Sequence, residues 1–124
     1  MAEAIAKHVA ADVIEPSSAG LVAFGEIPNS TIAVLRECGF SAEGQHSKSL
    51  RSEDLSVADL VVNMTGRVGS EIFTGPAPPL EDWDVGDPYG FNLAVYRDIR
   101  DKIEAHVEDL ARRLREQAES AGTP

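Results

Sequence analysis

Apolar positions in the last third of the chain recur every three or four residues. Tyr96, Ile99, Ile103, Val107, Leu110 and Leu114 fall on one helical face. This predicts a long amphipathic helix from Asn92 to about Glu116, its apolar side packed on a sheet. Residues 117–124 should fray into solvent. Asp59-Leu60-Val61-Val62-Asn63-Met64 is short and apolar on both faces, as in a parallel strand covered from both sides. Asp82 to Val85 reads as a second short strand. Val13-Ile14-Glu15 reads as a third, ended by Pro16.

Helical segments alternate with these strands. Residues 2–11 are rich in alanine, with Ile5 and Val9 four apart, which predicts a helix. Ser17-Ser18-Ala19-Gly20 suits a loop at the carboxyl end of a strand. There Ser18 either bonds a neighbouring loop or closes a local turn. A second helix carries Ile32 and Leu35, is capped by Asn29 or Ser30, and stops at Cys38-Gly39. Ser52 to Leu55 predicts a helical turn capped by Ser52 or Ser56, and Thr65 to Phe73 a short helix. Gly66 and Gly69 lack the Gly-Lys-Ser of a nucleotide-binding loop. The proline-rich segment 74–80 is a surface connection. The alternation argues for a single α/β domain over 1–116 with a short, mostly parallel sheet, followed by the tail 117–124.

Charge and composition narrow the function classes. The 124 residues carry 11 Lys and Arg against 21 Asp and Glu, a net charge of −10. A nucleic-acid surface needs clustered cations. Arg112, Arg113 and Arg115 sit among acids and read as a solvated helix face, so nucleic acid is not an expected partner. No apolar run approaches the roughly 20 residues of a membrane span, and the first residues do not resemble a signal peptide. A cytoplasmic protein without a membrane partner is expected. Cys38 is the single cysteine, which makes no internal disulfide and reads as a small packing residue. His8, His46 and His106 lie far apart in sequence, so neither a metal site nor a cofactor is expected. His46 reads as a polar loop residue that forms hydrogen bonds or, alternatively, lines a cleft.

One stretch carries candidate chemistry. In Trp83-Asp84-Val85-Gly86-Asp87-Pro88-Tyr89-Gly90 a carboxylate stands directly before a proline. Proline disfavours helical geometry for the preceding residue, which keeps Asp87 extended. Gly86 and Gly90 allow tight turns on either side. Asp87 is thus either a general acid pointing into a cleft or a plain turn initiator.

Together these segments resemble the low-molecular-weight protein tyrosine phosphatase family and its arsenate reductase relatives. The resemblance runs through Met1-Ala2-Glu3-Ala4, Ser18-Ala19-Gly20, the segment ending His46-Ser47-Lys48-Ser49-Leu50, Ala58 to Met64, and Trp83 to Tyr89 followed by Val95-Tyr96-Arg97-Asp98-Ile99. It implies a three-layer α/β sandwich and phosphomonoester hydrolysis through a cysteinyl-phosphate. It also implies roles: Asp87 the general acid, Tyr89 an aromatic at the substrate entrance, and Ser18 a support for the phosphate loop. The implied partner is a phosphorylated protein or a small phosphate ester.

The sequence departs from the family at the nucleophile. The family's first, central strand and its Cys-x5-Arg phosphate loop precede the helix that begins here at Met1. Within the 124 residues Cys38 does not fit, because Gly44 stands where the pattern requires arginine. Residues 64–80 contain no cysteine, so thiol-relay arsenate reduction is not expected either. Three readings follow: a truncated phosphatase inactive as given, a non-catalytic binding or regulatory module on the phosphatase scaffold, or a purely structural dimer. An exposed sheet edge predicts self-association, with exchanged strands or helices covering it.

Overall fold

The computed structural model describes residues 1–20, 28–42, 48–69, 78–86 and 92–121. Among the described residues three short helices precede the strand pair: α1 (Ala2–Val9), α2 (Asn29–Glu37) and α3 (Ser52–Val57). Two strands follow, β1 (Val61–Asn63) and β2 (Leu80–Asp82), and then the long helix α4 (Leu93–Ala121). β1 and β2 pair in parallel, with Val61 beside Leu80 and Asn63 beside Asp82. The Val61 N–H donates to Pro79 O, and the Trp83 N–H donates to Asn63 O, closing both ends of the pair. A separate parallel bridge joins Gly20 to Ser49.

The apolar stripe of α4 organises the core. Ile99, Ile103, Val107 and Leu110 are buried with Ile5 and Ala6 of α1, Leu35 of α2, and Trp83 and Val85 just past β2. The sequence pattern pointed this stripe at a sheet. In the structure α4 packs chiefly on α1 and α2, and among the described residues the sheet side adds Val62 of β1 with its neighbours Leu60 and Met64, and Trp83 and Val85 past β2.

Polar contacts fasten the same elements. Arg100 is 8% exposed and donates to Val34 O, a carbonyl in the last turn of α2, and to Glu37, both at 2.8 Å. Arg97 binds both oxygens of Glu37. Arg115 donates to Val9 O, the end of α1, at 3.2 Å and pairs with Asp12. The last carbonyls of a helix lack intrahelical partners and carry the negative end of its dipole. Arginines from α4 therefore complete the carboxyl ends of both α1 and α2. The expected solvated face at Arg112, Arg113 and Arg115 is corrected on this point: Arg113 and Arg115 reach across to other elements, Arg113 through Glu81 of β2.

Several local expectations differ. Val13-Ile14-Glu15 forms no strand. The N–H groups of Val13 and Ile14 both donate to Ala10 O, so the chain leaves α1 still turning, and both side chains pack on the core. The second strand is Leu80–Asp82 rather than Asp82 to Val85, because β1 offers only three ladder positions. α2 follows Pro28, with no side-chain cap from Asn29 or Ser30. It stops at Cys38, followed by Gly39 at φ +77°, the left-handed geometry a glycine stop supplies. At α3 the Arg51 N–H donates to Asp54 Oδ2 and Ser56 Oγ donates to Glu53 O, so neither serine caps it. Residues 65–68 are not helical, and the remainder of that expected helix from residue 70 lies outside the described residues. α4 continues to Ala121, past the Glu116 boundary.

Ile5 is fully buried between α1 and α4. Ile5→Ala is expected to lower unfolding stability by about 2–5 kcal/mol, the usual range for such a truncation. Urea denaturation measures this, and a loss below about 1 kcal/mol would show that α1 is not part of the cooperative core.

Candidate functional site

In open α/β sheets ligands sit outside the carboxyl ends of the strands. Here that edge is formed by Asn63, Asp82 and the segments that leave them. Asn63 is 4% exposed and uses its whole amide. Its Nδ2 donates to Arg67 O at 2.6 Å and to Asp82 Oδ1 at 2.9 Å. Its Oδ1 accepts from the Thr65 N–H and from Thr65 Oγ1. A buried amide needs such partners, since each orphaned group costs about 1–3 kcal/mol. Asn63 thereby ties the two strand ends together and turns the chain out of β1.

The turn brings Gly69 against β2. A Cβ at Gly69 would lie 2.7 Å from Asp82 Oδ1 and collide with the Leu80 side chain. Only glycine permits that approach without displacement. Gly66 adopts φ +82° within the same turn.

Beyond β2 the chain is anchored before it reaches residue 87. Trp83 and Val85 are each 5% exposed. The Trp83 ring stacks on His106 of α4 with centroids 4.9 Å apart, and its Nε1–H donates to Glu81 Oε1. Arg113 binds the same carboxylate at 2.6 Å. The Arg113 guanidinium, helped by the Trp83 N–H against partial burial, holds the Glu81 carboxyl below its ordinary range. Gly86 then turns at φ +78°.

Asp87 and Tyr89 lie outside the described residues, as does His46. Ser18 is exposed and donates to Glu3 Oε1 at 2.8 Å, in the first turn of α1. Burial alone would raise the Glu3 carboxyl. The Ser18 hydroxyl with Lys7 and Lys48 outweighs it and brings the group down. Cys38 is exposed at the carboxyl end of α2. Among the described residues no group of three or more His, Cys, Asp or Glu is placed to hold a metal ion, and no helix is long and apolar enough to cross a membrane. Sequence reading did not find the Asn63–Asp82 junction or the Trp83–His106 stack. An asparagine ending an apolar strand was the available signal for the first.

The family profile described as "Low molecular weight phosphotyrosine protein phosphatase" matches residues 1–120. The chain belongs to the low molecular weight phosphotyrosine protein phosphatase family. Its relatives in this family include proteins named for another reaction. It is 30% identical to the glutaredoxin arsenate reductase of Synechocystis sp. over 122 residues, covering 92% of this chain and 87% of that protein. It is 33% identical to arsenate reductase 1 of Bacillus cereus over 113 residues, covering 90% and 83%. A solved arsenate reductase in the phosphate binding state matches with TM-score 0.75 at 28% identity, over 91% of this chain and 86% of that one. The YwlE arginine phosphatase from Geobacillus stearothermophilus matches with TM-score 0.79 at 24% identity, over 99% and 88%, a likeness of fold. The α/β class and short parallel sheet expected from the sequence are those of the low molecular weight phosphatase fold.

The lowered Glu81 carboxyl makes the β2 exit acid-sensitive. A carboxylate depressed on folding stabilises the native state above its unfolded value and loses that contribution as pH falls through its folded value. The melting temperature should therefore fall as pH drops below about 4.5. Glu81→Gln should lower the melting temperature at neutral pH and flatten the acid slope. An acid slope unchanged in Glu81→Gln would show that Glu81 does not contribute to it.

Proposed function

We propose that this chain is a low-molecular-weight phosphatase scaffold for phosphomonoesters that performs no turnover as the 124-residue chain. Asp87 is its general-acid candidate. The observation that carries the second half of this reading is the position of the single thiol. A cysteine nucleophile reacts as thiolate and is favoured at a helix N-terminus or beside cations. Cys38 stands at the C-cap of α2, where the helix dipole disfavours negative charge. It also lacks an arginine six residues on. Asp87 would protonate a leaving oxygen, but the 124 residues contain no Cys-x5-Arg to attack phosphorus. What supports the first half is the family match over residues 1–120 and the Asp87-Pro88-Tyr89 segment a few residues beyond the anchored exit of β2.

The names of the relatives favour arsenate reduction as a second reading. Converting arsenate to arsenite takes two electrons, which two thiols supply by closing a disulfide. This chain holds one thiol, so the second would have to come from an external thiol. That requirement places arsenate reduction second.

Hydrolysis of an aryl phosphate by the purified chain should not exceed the rate without protein. Turnover abolished by Asp87→Ala would overturn the reading and return the chain to the active phosphatases.

Self-association is also proposed. Among the described residues β1 is paired only with β2, and a second copy of the chain would cover its other edge. Sedimentation at micromolar concentration should give a mass above 13.3 kDa, and a monomer mass would refute the proposal.

A further inference from the structure

All eight arginines of the sequence fall among the described residues. Six of them, Arg51, Arg97, Arg100, Arg112, Arg113 and Arg115, pair with carboxylates. Arg36 and Arg67 have no such partner among the described residues. Carboxylates are not scarce, since Asp and Glu outnumber Lys and Arg by 21 to 11. A cation without a carboxylate partner among the described residues is therefore conspicuous on so acidic a chain, and the two cases differ in how they are held. Arg36 lies on the exposed face of α2. Arg67 is exposed, but its backbone is fixed on both sides. Its carbonyl accepts from the buried Asn63 amide at 2.6 Å, and its N–H donates to Thr65 Oγ1 at 3.2 Å. Asn63 is in turn locked to Asp82. Arg67 thus rises from a rigid frame at the carboxyl edge of the β1–β2 pair, where an α/β sheet receives its ligand.

We propose that Arg67 is a specificity-determining residue that reads a second anionic group, a carboxylate or a further phosphate, on the phosphomonoester ligand. This rests on the phosphomonoester reading above. The guanidinium is a fixed fork of donors that meets carboxylate and phosphate oxygens two at a time. The net charge of −10 repels anions generally, but that repulsion is screened beyond about 8 Å at physiological ionic strength. A local contact to Arg67 then selects among anionic ligands. The Thr65 hydroxyl is already bonded to Asn63, and the Arg67 guanidinium is the charged donor of this turn.

The test is side-chain NMR of the full isotope-labelled chain, following the Arg67 Nε–Hε signal. The probes are inorganic phosphate, a phosphotyrosyl peptide with acidic neighbours, the same peptide with alanine neighbours, the unphosphorylated acidic peptide, and a small bisphosphate ester. The acidic phosphopeptide or the bisphosphate should shift the Arg67 signal. It should also bind roughly 10–100-fold tighter than the neutral phosphopeptide, the worth of a charged hydrogen-bonded contact. Which of the two does so identifies the source of the second charge. Arg67→Ala should remove that preference while leaving the melting temperature unchanged, and Arg67→Lys should restore part of it. An Arg67 signal unmoved by every probe, or a preference that survives Arg67→Ala, overturns the proposal. Equal binding of the acidic peptide with and without its phosphate, with the Arg67 signal shifted, supports the Arg67 contact and overturns the phosphomonoester reading instead.

Discussion

Two short helices in this protein end on arginines borrowed from a third. α1 and α2 have eight and nine residues, lengths at which an isolated helix is marginal in water. Arg115 reaches the last residue of α1, and Arg100 reaches a terminal carbonyl of α2. Between these two points the apolar stripe of α4 buries Ile99, Ile103, Val107 and Leu110 against the same helices. Packing and capping thus act on one helix pair from one template. A third arginine, Arg113, extends the arrangement to β2 through Glu81. The three-residue strand pair is too short to stand alone, and it is held in place from α4.

That dependence explains what could be read from the sequence and what could not. α4 was legible because its period persists over many turns, and a long regular stripe has few other interpretations. β1 was legible as an apolar run of the right length. The second strand lies earlier than the segment Asp82 to Val85, because Trp83 and Val85 are buried in the core rather than paired in the ladder. They pack below α4 past the last ladder position. Val13 and Ile14 misled in the same way: β-branched residues before a proline suggest a strand, yet their backbone bonds still belong to the exit of α1. The arginine contacts were not legible at all. Arg100 finds Val34 across 66 residues and Arg115 finds Val9 across 106. A flexible cationic side chain carries no local mark of its target.

The candidate site divides along the same line. Asp87 was singled out by local chemistry, the constraint that proline places on its predecessor. The frame behind the site was not, because it depends on Asn63 and Asp82 meeting across the strand pair. The buried amide has no periodic or motif signature, and its importance appears only when all four of its hydrogen bonds are traced. Ser18 was placed by resemblance, and the structure gives it a partner, Glu3, in the first turn of α1.

Trp83 is the only tryptophan in the chain, and it stands where the strand pair hands over to the segment bearing Asp87. Its indole is buried, stacked on an imidazole and hydrogen-bonded to a carboxylate that also holds an arginine. The indole emission of the protein therefore comes from one location. Any event that loosens the junction between β2 and α4 is visible without a label, and the rest of the molecule contributes no competing indole signal. The fold carries its own optical reporter a few residues from its candidate acid.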